Sequence, residues 1–285
     1  MADAKADAGG NADAGENRPG FQLAGGAPER YERYVEPIMA PFVTAVVDAA
    51  GLFPGARVLD LACGTGFAAR AAALRAGPTG RVAGADVNEG MLRVAATHMP
   101  GTHPGIEFTL APADALPYPD AAFDAVICQQ GAQFFPDLHA ALAETARVTR
   151  PGGRFAATVW TPKERSPYFA AQYEAVEEYG GPEAAANHAR AFACAPDHLS
   201  DAVRAAGFHD VTAHDTTFGI TLPPLTVYAS AQLSALPWGQ AVVDAGGPEA
   251  LAAAGRLVCD RLTHHTAADG TATLPFTATL VTGVR

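Results

Sequence analysis

The run Val58-Leu59-Asp60-Leu61-Ala62-Cys63-Gly64-Thr65-Gly66 limits the fold of this chain more than any other feature. A short apolar stretch, Arg57–Ala62, reads as a buried strand, and a glycine turn and an Ala-rich helix from about Phe67 to Ala76 follow it. Glycine lets such a turn adopt positive φ and leaves backbone N–H groups open to a ligand. The pattern then repeats. Arg81–Asp86, Ile106–Ala111, Phe123–Gln129 and Arg154–Trp160 read as further strands. Helical stretches at Glu89–His98 and after Asp137, a plausible N-cap, separate some of them, and Arg150-Pro151-Gly152-Gly153 closes the second. Strands alternating with helices of this length predict a parallel, doubly wound α/β sheet covered on both faces.

The 285 residues are 49% hydrophobic and 17% charged, which excludes a wholly disordered or collagen-like chain. Nineteen basic against thirty acidic residues give a net charge of -11, the wrong sign for coating nucleic acid. No stretch approaches the ~18 apolar residues of a spanning helix. The first residues lack an apolar signal core, so no membrane partner and a cytoplasmic location are expected. Cysteines 63, 128, 194 and 259 are widely spaced and read as reduced thiols. None of the nine histidines falls in an HxxxH pattern or pairs with a neighbouring Cys or Asp at ligand spacing, so no metal is predicted.

Residues 1–20, rich in Ala, Gly, Asp and Asn, are expected to be a disordered tail, and residues 21–50 to form N-terminal helices over the site. Between Arg30 and Ala50 the apolar spacing is helical, and Pro37 and Pro41 are expected to break it into two short helices. Residues 51–160 make the ligand-binding core and residues 161–200 a helical insertion, with a helix from Tyr168 to Tyr179. Residues 201–285 return to the sheet: Leu199–Ala206 reads as helix, Val211–Thr221 and Leu274–Val284 as strands. Residues 225–265 are mostly helical, with interruptions at Pro237 and Gly246-Gly247-Pro248.

Gly64-x-Gly66-x-x-Ala69 alone also suits a dinucleotide site. Asp60 separates the readings, because a carboxylate inside the first strand repels a pyrophosphate and suits a ligand carrying an ammonium group. With its surroundings the run resembles the first motif of the class I S-adenosylmethionine-dependent methyltransferases, and the resemblance extends from about Tyr31 to Trp160. It is greatest to the small-molecule branch that includes ubiquinone/menaquinone biosynthesis and secondary-metabolite methyltransferases.

The resemblance implies a seven-stranded, mostly parallel Rossmann-like sheet with an antiparallel last strand, and cap helices inserted at about residues 222–270. It also implies S-adenosyl-L-methionine as cofactor. Asp60, Ala62, Cys63, Gly64 and Gly66 would face its amino-acid part, and Asp86 would take the ribose hydroxyls as a two-acceptor carboxylate. Val87 and Met91 would contact the adenine, with Asp114, between Ala113 and Ala115, accepting from its amino group. Gln129 and Gln130 end a central strand, where open α/β sheets bind ligands, and would flank the reactive methyl. Tyr34, in Tyr31-x-x-Tyr34-x-x-Pro37, would close over the cofactor.

Phe134, Trp160, Tyr168 and Trp238 are expected near the cleft or cap and suggest an apolar acceptor, aromatic or terpenoid. Methyl transfer needs the acceptor held in line about 3 Å from the methyl in a dry pocket, and a general base is optional. No catalytic residue is therefore assigned. His139, His188, His198, Tyr168 and Tyr173 are the candidate bases; His139 is expected to face solvent, and His264-His265 to meet a helix end. The expected partner is a small-molecule methyl acceptor, with the chain a monomer or homodimer. Three rival readings stand beside this one: the same fold using the bound cofactor as a scaffold for cyclisation, a nicotinamide oxidoreductase, and a non-catalytic binding protein with a vestigial pocket, which the suitably filled cofactor positions disfavour.

Overall fold

A computed structural model of the chain describes residues 21–98 and 104–285. The tail expected at residues 1–20 lies outside them. One helix, α1 (Ala27–Ala49), precedes β1 (Arg57–Leu61), α2 (Phe67–Ala76), β2 (Arg81–Asp86), α3 (Glu89–Thr97), β3 (Ile106–Leu110) and β4 (Phe123–Gln129). Then come α4 (Leu138–Val148), β5 (Thr149–Trp160), α5 (Pro167–Arg190), α6 (Pro196–Ala205) and β6 (His209–Leu222). The chain closes with α7 (Leu225–Leu233), α8 (Pro237–Arg261) and β7 (Ala272–Val284).

The strands form one seven-stranded sheet in the order β3-β2-β1-β4-β5-β7-β6. Neighbours from β3 to β5 pair in parallel, and β7 runs antiparallel between β5 and β6. Helices cover both faces, as the alternation of strands and helices predicts. Along β1 the side chains alternate between the faces. Val58 joins the cluster under α1, α2 and the cap, whereas Leu59 and Leu61 join the opposite cluster under α4 and α6. This alternation places Asp60 on the α1, α2 and cap side.

Two expectations are corrected. Pro37 and Pro41 do not split the first helix; both lie inside α1. A proline costs a helix one N–H donor and loosens the preceding turn. Here Val35, Ile38, Phe42 and Val46 hold the helix by burial, and the Tyr228 hydroxyl donates to the Tyr34 carbonyl at 2.6 Å beside the loosened turn. The fifth strand also starts earlier than Arg154. Thr149 already pairs with Phe123, and Arg150–Gly153 form an irregularity that the Arg285 backbone ties down through Gly152 N–H and Gly153 C=O. In the cap, α5 bends at Gly181 (φ 80°) and α8 at Gly246-Gly247, where Pro182 and Pro248 follow. Among the described residues no helix is long and apolar enough to cross a membrane.

Candidate cofactor and acceptor site

β1 pairs with β2 on one side and β4 on the other, so the strand order reverses between β1 and β4. A crevice opens at the carboxyl ends of the strands at such a point. Here it deepens into a cavity of about 540 Å³, roofed by α1 and the cap helices.

Asp60 stands at its floor, paired in the sheet between Gly84 and Ile127. It is 1% exposed, and neither carboxylate oxygen makes a hydrogen bond of normal geometry. Burial pushes its carboxyl up to about 8; the Ala69 amide and Arg70 pull the other way without offsetting it. An unpartnered carboxylate at this depth is costly unless a ligand supplies the counter-charge. The amino end of α2 faces the same space, adding the positive end of a helix dipole.

Beyond β1 the backbone is left-handed at Ala62 (φ 55°), Gly64 (φ 54°) and Gly66 (φ 87°), and beyond β4 at Gln130 (φ 54°). Such conformations in non-glycine residues are uncommon and cluster at binding sites. A Cβ on Gly64 would meet nothing closer than the Met91 methyl at 3.8 Å, so open space lies beside this turn.

At the end of β2, Asp86 accepts the Gly64 N–H on Oδ2 and the Asn88 N–H on Oδ1, both at 2.8 Å. Burial holds its carboxyl above the usual range despite these bonds. Each oxygen keeps a second lone-pair site, enough to accept from a vicinal diol. The Asn88 side chain caps α3 through the Met91 amide (3.1 Å) and donates to the Leu23 carbonyl (3.0 Å), which holds the chain before α1 across the mouth. Val87, Met91, Ala113 and Asp114 line the adjoining wall, with Asp114 at its exposed rim. Gln129 donates to the Met39 sulfur at 3.3 Å, and Gln130 accepts from Gln133 at 3.0 Å.

Ala62, Cys63, Gly64, Gln129 and Gln130 also border the cavity, as do Phe134, Trp160 and Trp238. Tyr34, Gly66, Ala115 and Tyr168 lie off its wall. Tyr31, one turn before Tyr34, lines the cavity instead and stacks on Phe67 with 6.2 Å between ring centroids. The role of Gly66 is conformational: it is the left-handed N-cap of α2. Tyr168 is buried behind the wall, and its hydroxyl donates to Gln232 Oε1 at 3.2 Å.

None of the described histidines lines the cavity. His139 is exposed, as expected, against His198. His188 is buried and its pKa falls to about 3, chiefly through burial, so it is neutral. Tyr173 donates to Glu177 at 3.1 Å, and His264-His265 are exposed after α8.

Among the wall residues that a reading of the sequence does not assign to the site are Tyr31, Phe21, Gln172 and Gln232. Gln172 and Gln232 did carry a signal, since each sits at helical spacing from Tyr168 or Tyr228 on an otherwise apolar face. Phe21 packs against Tyr31, Phe134 and Trp238 at 5.0–6.0 Å, and nothing in its neighbourhood in the sequence marks it.

Residues 59–157 match a family described as a methyltransferase domain. The ubiquinone/menaquinone biosynthesis C-methyltransferase UbiE of Cupriavidus taiwanensis is 41% identical over 121 residues, which is 41% of this chain and 50% of that protein. That of Hahella chejuensis is 43% identical over 110 residues, 38% of this chain and 44% of that one. The chain thus spans about half the length of the curated relatives it matches. In fold it resembles the YcgJ protein of Bacillus subtilis, with a TM-score of 0.55 and 19% identity over 86% of this chain and 98% of that one. It also resembles Haemonchus contortus phosphoethanolamine N-methyltransferase 2 in complex with S-adenosyl-L-methionine, with a TM-score of 0.55 and 17% identity over 86% of this chain and 52% of that one. Sheet order, glycine turn and sequence match agree over residues 59–157, the stretch of this chain that matches a methyltransferase domain.

Proposed function

We propose that the chain is an S-adenosylmethionine-dependent methyltransferase, acting in the cytoplasm on a small, apolar acceptor of secondary metabolism. The unpartnered, buried Asp60 carboxylate carries this reading. The cofactor's α-ammonium group supplies the missing partner, and the glycine turn leaves room for the rest of the amino-acid part. Asp86 takes the ribose hydroxyls, Val87 and Met91 pack on the adenine, and Asp114 accepts its amino group. A nicotinamide dinucleotide would set a pyrophosphate against Asp60 and gain only repulsion there.

When bound, S-adenosylmethionine supplies an electrophilic methyl group on its sulfonium. Gln129 and Gln130 border the space where that methyl would lie and orient the acceptor with neutral dipoles. Phe134, Trp160 and Trp238, with Phe21 and Tyr31, exclude water and hold the acceptor flat against an apolar wall. The charged residues on the wall (Asp60, Asp86, Asp114 and Asp137) are all acidic, so an anionic acceptor is disfavoured. With no histidine or lysine on the wall among the described residues, the acceptor must release its proton without a strong base of the protein. The named relatives are C-methyltransferases, which favours an activated carbon as the methylated atom. The cap lies outside the matched stretch, so the choice of acceptor rests on the cap's own residues.

Calorimetric titration of the purified chain with S-adenosylhomocysteine and, separately, with NADH tests this proposal. Micromolar or tighter binding of the first alone is expected. Tight binding of NADH without S-adenosylhomocysteine would overturn it.

A further inference from the structure

The cap buries a set of polar side chains that the transfer itself does not use. Gln232 Oε1 accepts twice, from the Tyr168 hydroxyl at 3.2 Å and from Gln172 Nε2 at 2.6 Å. The Gln172 carbonyl oxygen faces His188 Nε2 at 3.2 Å. Tyr168 and His188 are 0% exposed, Gln172 1% and Gln232 2%. These bonds fix the direction of the chain. With Gln232 Oε1 committed as acceptor, Gln172 must present its nitrogen to Gln232 and its oxygen to His188, so His188 carries its proton on Nε2. Burial keeps His188 neutral and preserves that tautomer.

The same bonds turn the Gln232 amide nitrogen away from the cluster. It makes no hydrogen bond among the described residues, and Gln232 lines the cavity. A second donor is left over on the same wall: the Trp238 indole N–H is buried and unpartnered, with its ring 5.0 Å from that of His188. Two donors on a wall whose lining holds no lysine or arginine match a neutral oxygen on a ligand.

We propose that Gln232 and Trp238 read a hydrogen-bond-accepting oxygen of the acceptor, with Tyr168, Gln172 and His188 as positioning residues that aim Gln232. The substrate is then an uncharged, largely apolar molecule carrying a carbonyl or ether oxygen where it meets the cap. A purely hydrocarbon terpenoid would leave both donors unsatisfied and bind less well. This inference rests on the methyltransferase reading, because the cofactor fills the other half of the cavity.

The test uses the whole chain saturated with S-adenosylhomocysteine and two probes of one size, 1-tetralone and tetralin, whose dissociation constants are measured by calorimetry or by quenching of tryptophan fluorescence. The ketone is better hydrated, so an indifferent apolar chamber prefers tetralin. The proposal expects 1-tetralone to bind about tenfold more tightly. Gln232→Leu should bring the ratio to one or below with tetralin and S-adenosylhomocysteine binding unchanged, and Trp238→Phe should lower it in part. His188→Leu should lower the ratio too, and His188→Gln, which keeps an N–H donor, should restore it. A role confined to packing would weaken both probes alike. A ratio at or below one in the unsubstituted protein, including absence of binding by either probe, overturns the inference, as does a ratio that survives Gln232→Leu. Failure of S-adenosylhomocysteine to bind would instead overturn the methyltransferase reading beneath it.

Discussion

The Asp86 carboxylate accepts the Gly64 amide at 2.8 Å, so the acid that ends β2 also braces the glycine turn that follows β1. Its second oxygen holds the Asn88 amide at the same distance. One side chain therefore sets the β2 end of the crevice, the glycine turn after β1 and the start of α3. Asp86→Asn leaves one of two backbone N–H groups facing an amide NH2. It should cost about 1–3 kcal/mol of stability and lower S-adenosylhomocysteine affinity by about tenfold or more. Denaturant melts and calorimetry check the two effects separately.

Gly131 follows the left-handed Gln130, and a Cβ there would lie 2.6 Å from the Ala62 methyl and 3.0 Å from the Cys128 sulfur. Gly131→Ala should push apart the ends of β1 and β4 and cost about 1–3 kcal/mol. Cofactor affinity should fall with it, because Ala62 and Gln130 both border the cavity. A thermal melt with and without S-adenosylhomocysteine reads both.

Arg147 ties the rim of the site to α4. Its guanidinium donates to Glu144, to Asp120 and to the carbonyls of Leu116 and Tyr118 at 2.6–3.0 Å, and Glu144 in turn accepts the Leu116 amide. Arg147→Gln should destabilise the chain by about 1–3 kcal/mol and loosen the loop that carries Ala113 and Asp114. Faster hydrogen exchange at Leu116, with Asp60 and its strand unaffected, is the expected signature.

Asp60 makes the pH dependence unusual. Its folded pKa of about 8 lies above the ~3.9 of an unfolded aspartate, so the free folded chain binds the extra proton between those values. Stability from this group is full below about pH 4 and is lost as pH rises through about 8. Asp124 has the opposite sign. Hydrogen bonds from Arg57 and Arg150 hold its carboxyl below the usual range, so its contribution is present above about pH 4 and lost on acidification. In melts from pH 5 to 9, Asp60→Asn should therefore gain on the unsubstituted protein as pH increases.

Much of the core was legible because its signals are local. The limits of Arg81–Asp86 and Phe123–Gln129 follow from apolar runs ending at punctuating residues, and Phe67–Ala76 from an Ala-rich stretch after a glycine. Asp137 caps α4 through the Ala140 amide, as its residue type predicts. The unbroken α1 was not legible, because what outweighs two prolines is burial against the sheet and a hydroxyl 194 residues away. Tyr31 rather than Tyr34 on the cavity wall is likewise a matter of helix rotation, which packing decides. The pairing of Gln172 with Gln232 joins two helices 60 residues apart, and no local pattern announces that meeting.

The proposal that Asp60 pairs with the cofactor's ammonium group is tested most directly by counting protons. S-adenosylhomocysteine is titrated into the protein at pH 6.5 in buffers of differing ionisation enthalpy. The Asp60 carboxyl is protonated beforehand and must ionise to pair with the cation, so close to one proton should be released per ligand bound, fewer as the pH passes about 8. Asp60→Asn should abolish the release and weaken binding at least about 30-fold. Binding of full strength with no proton released, or with the same release in Asp60→Asn, would contradict the account.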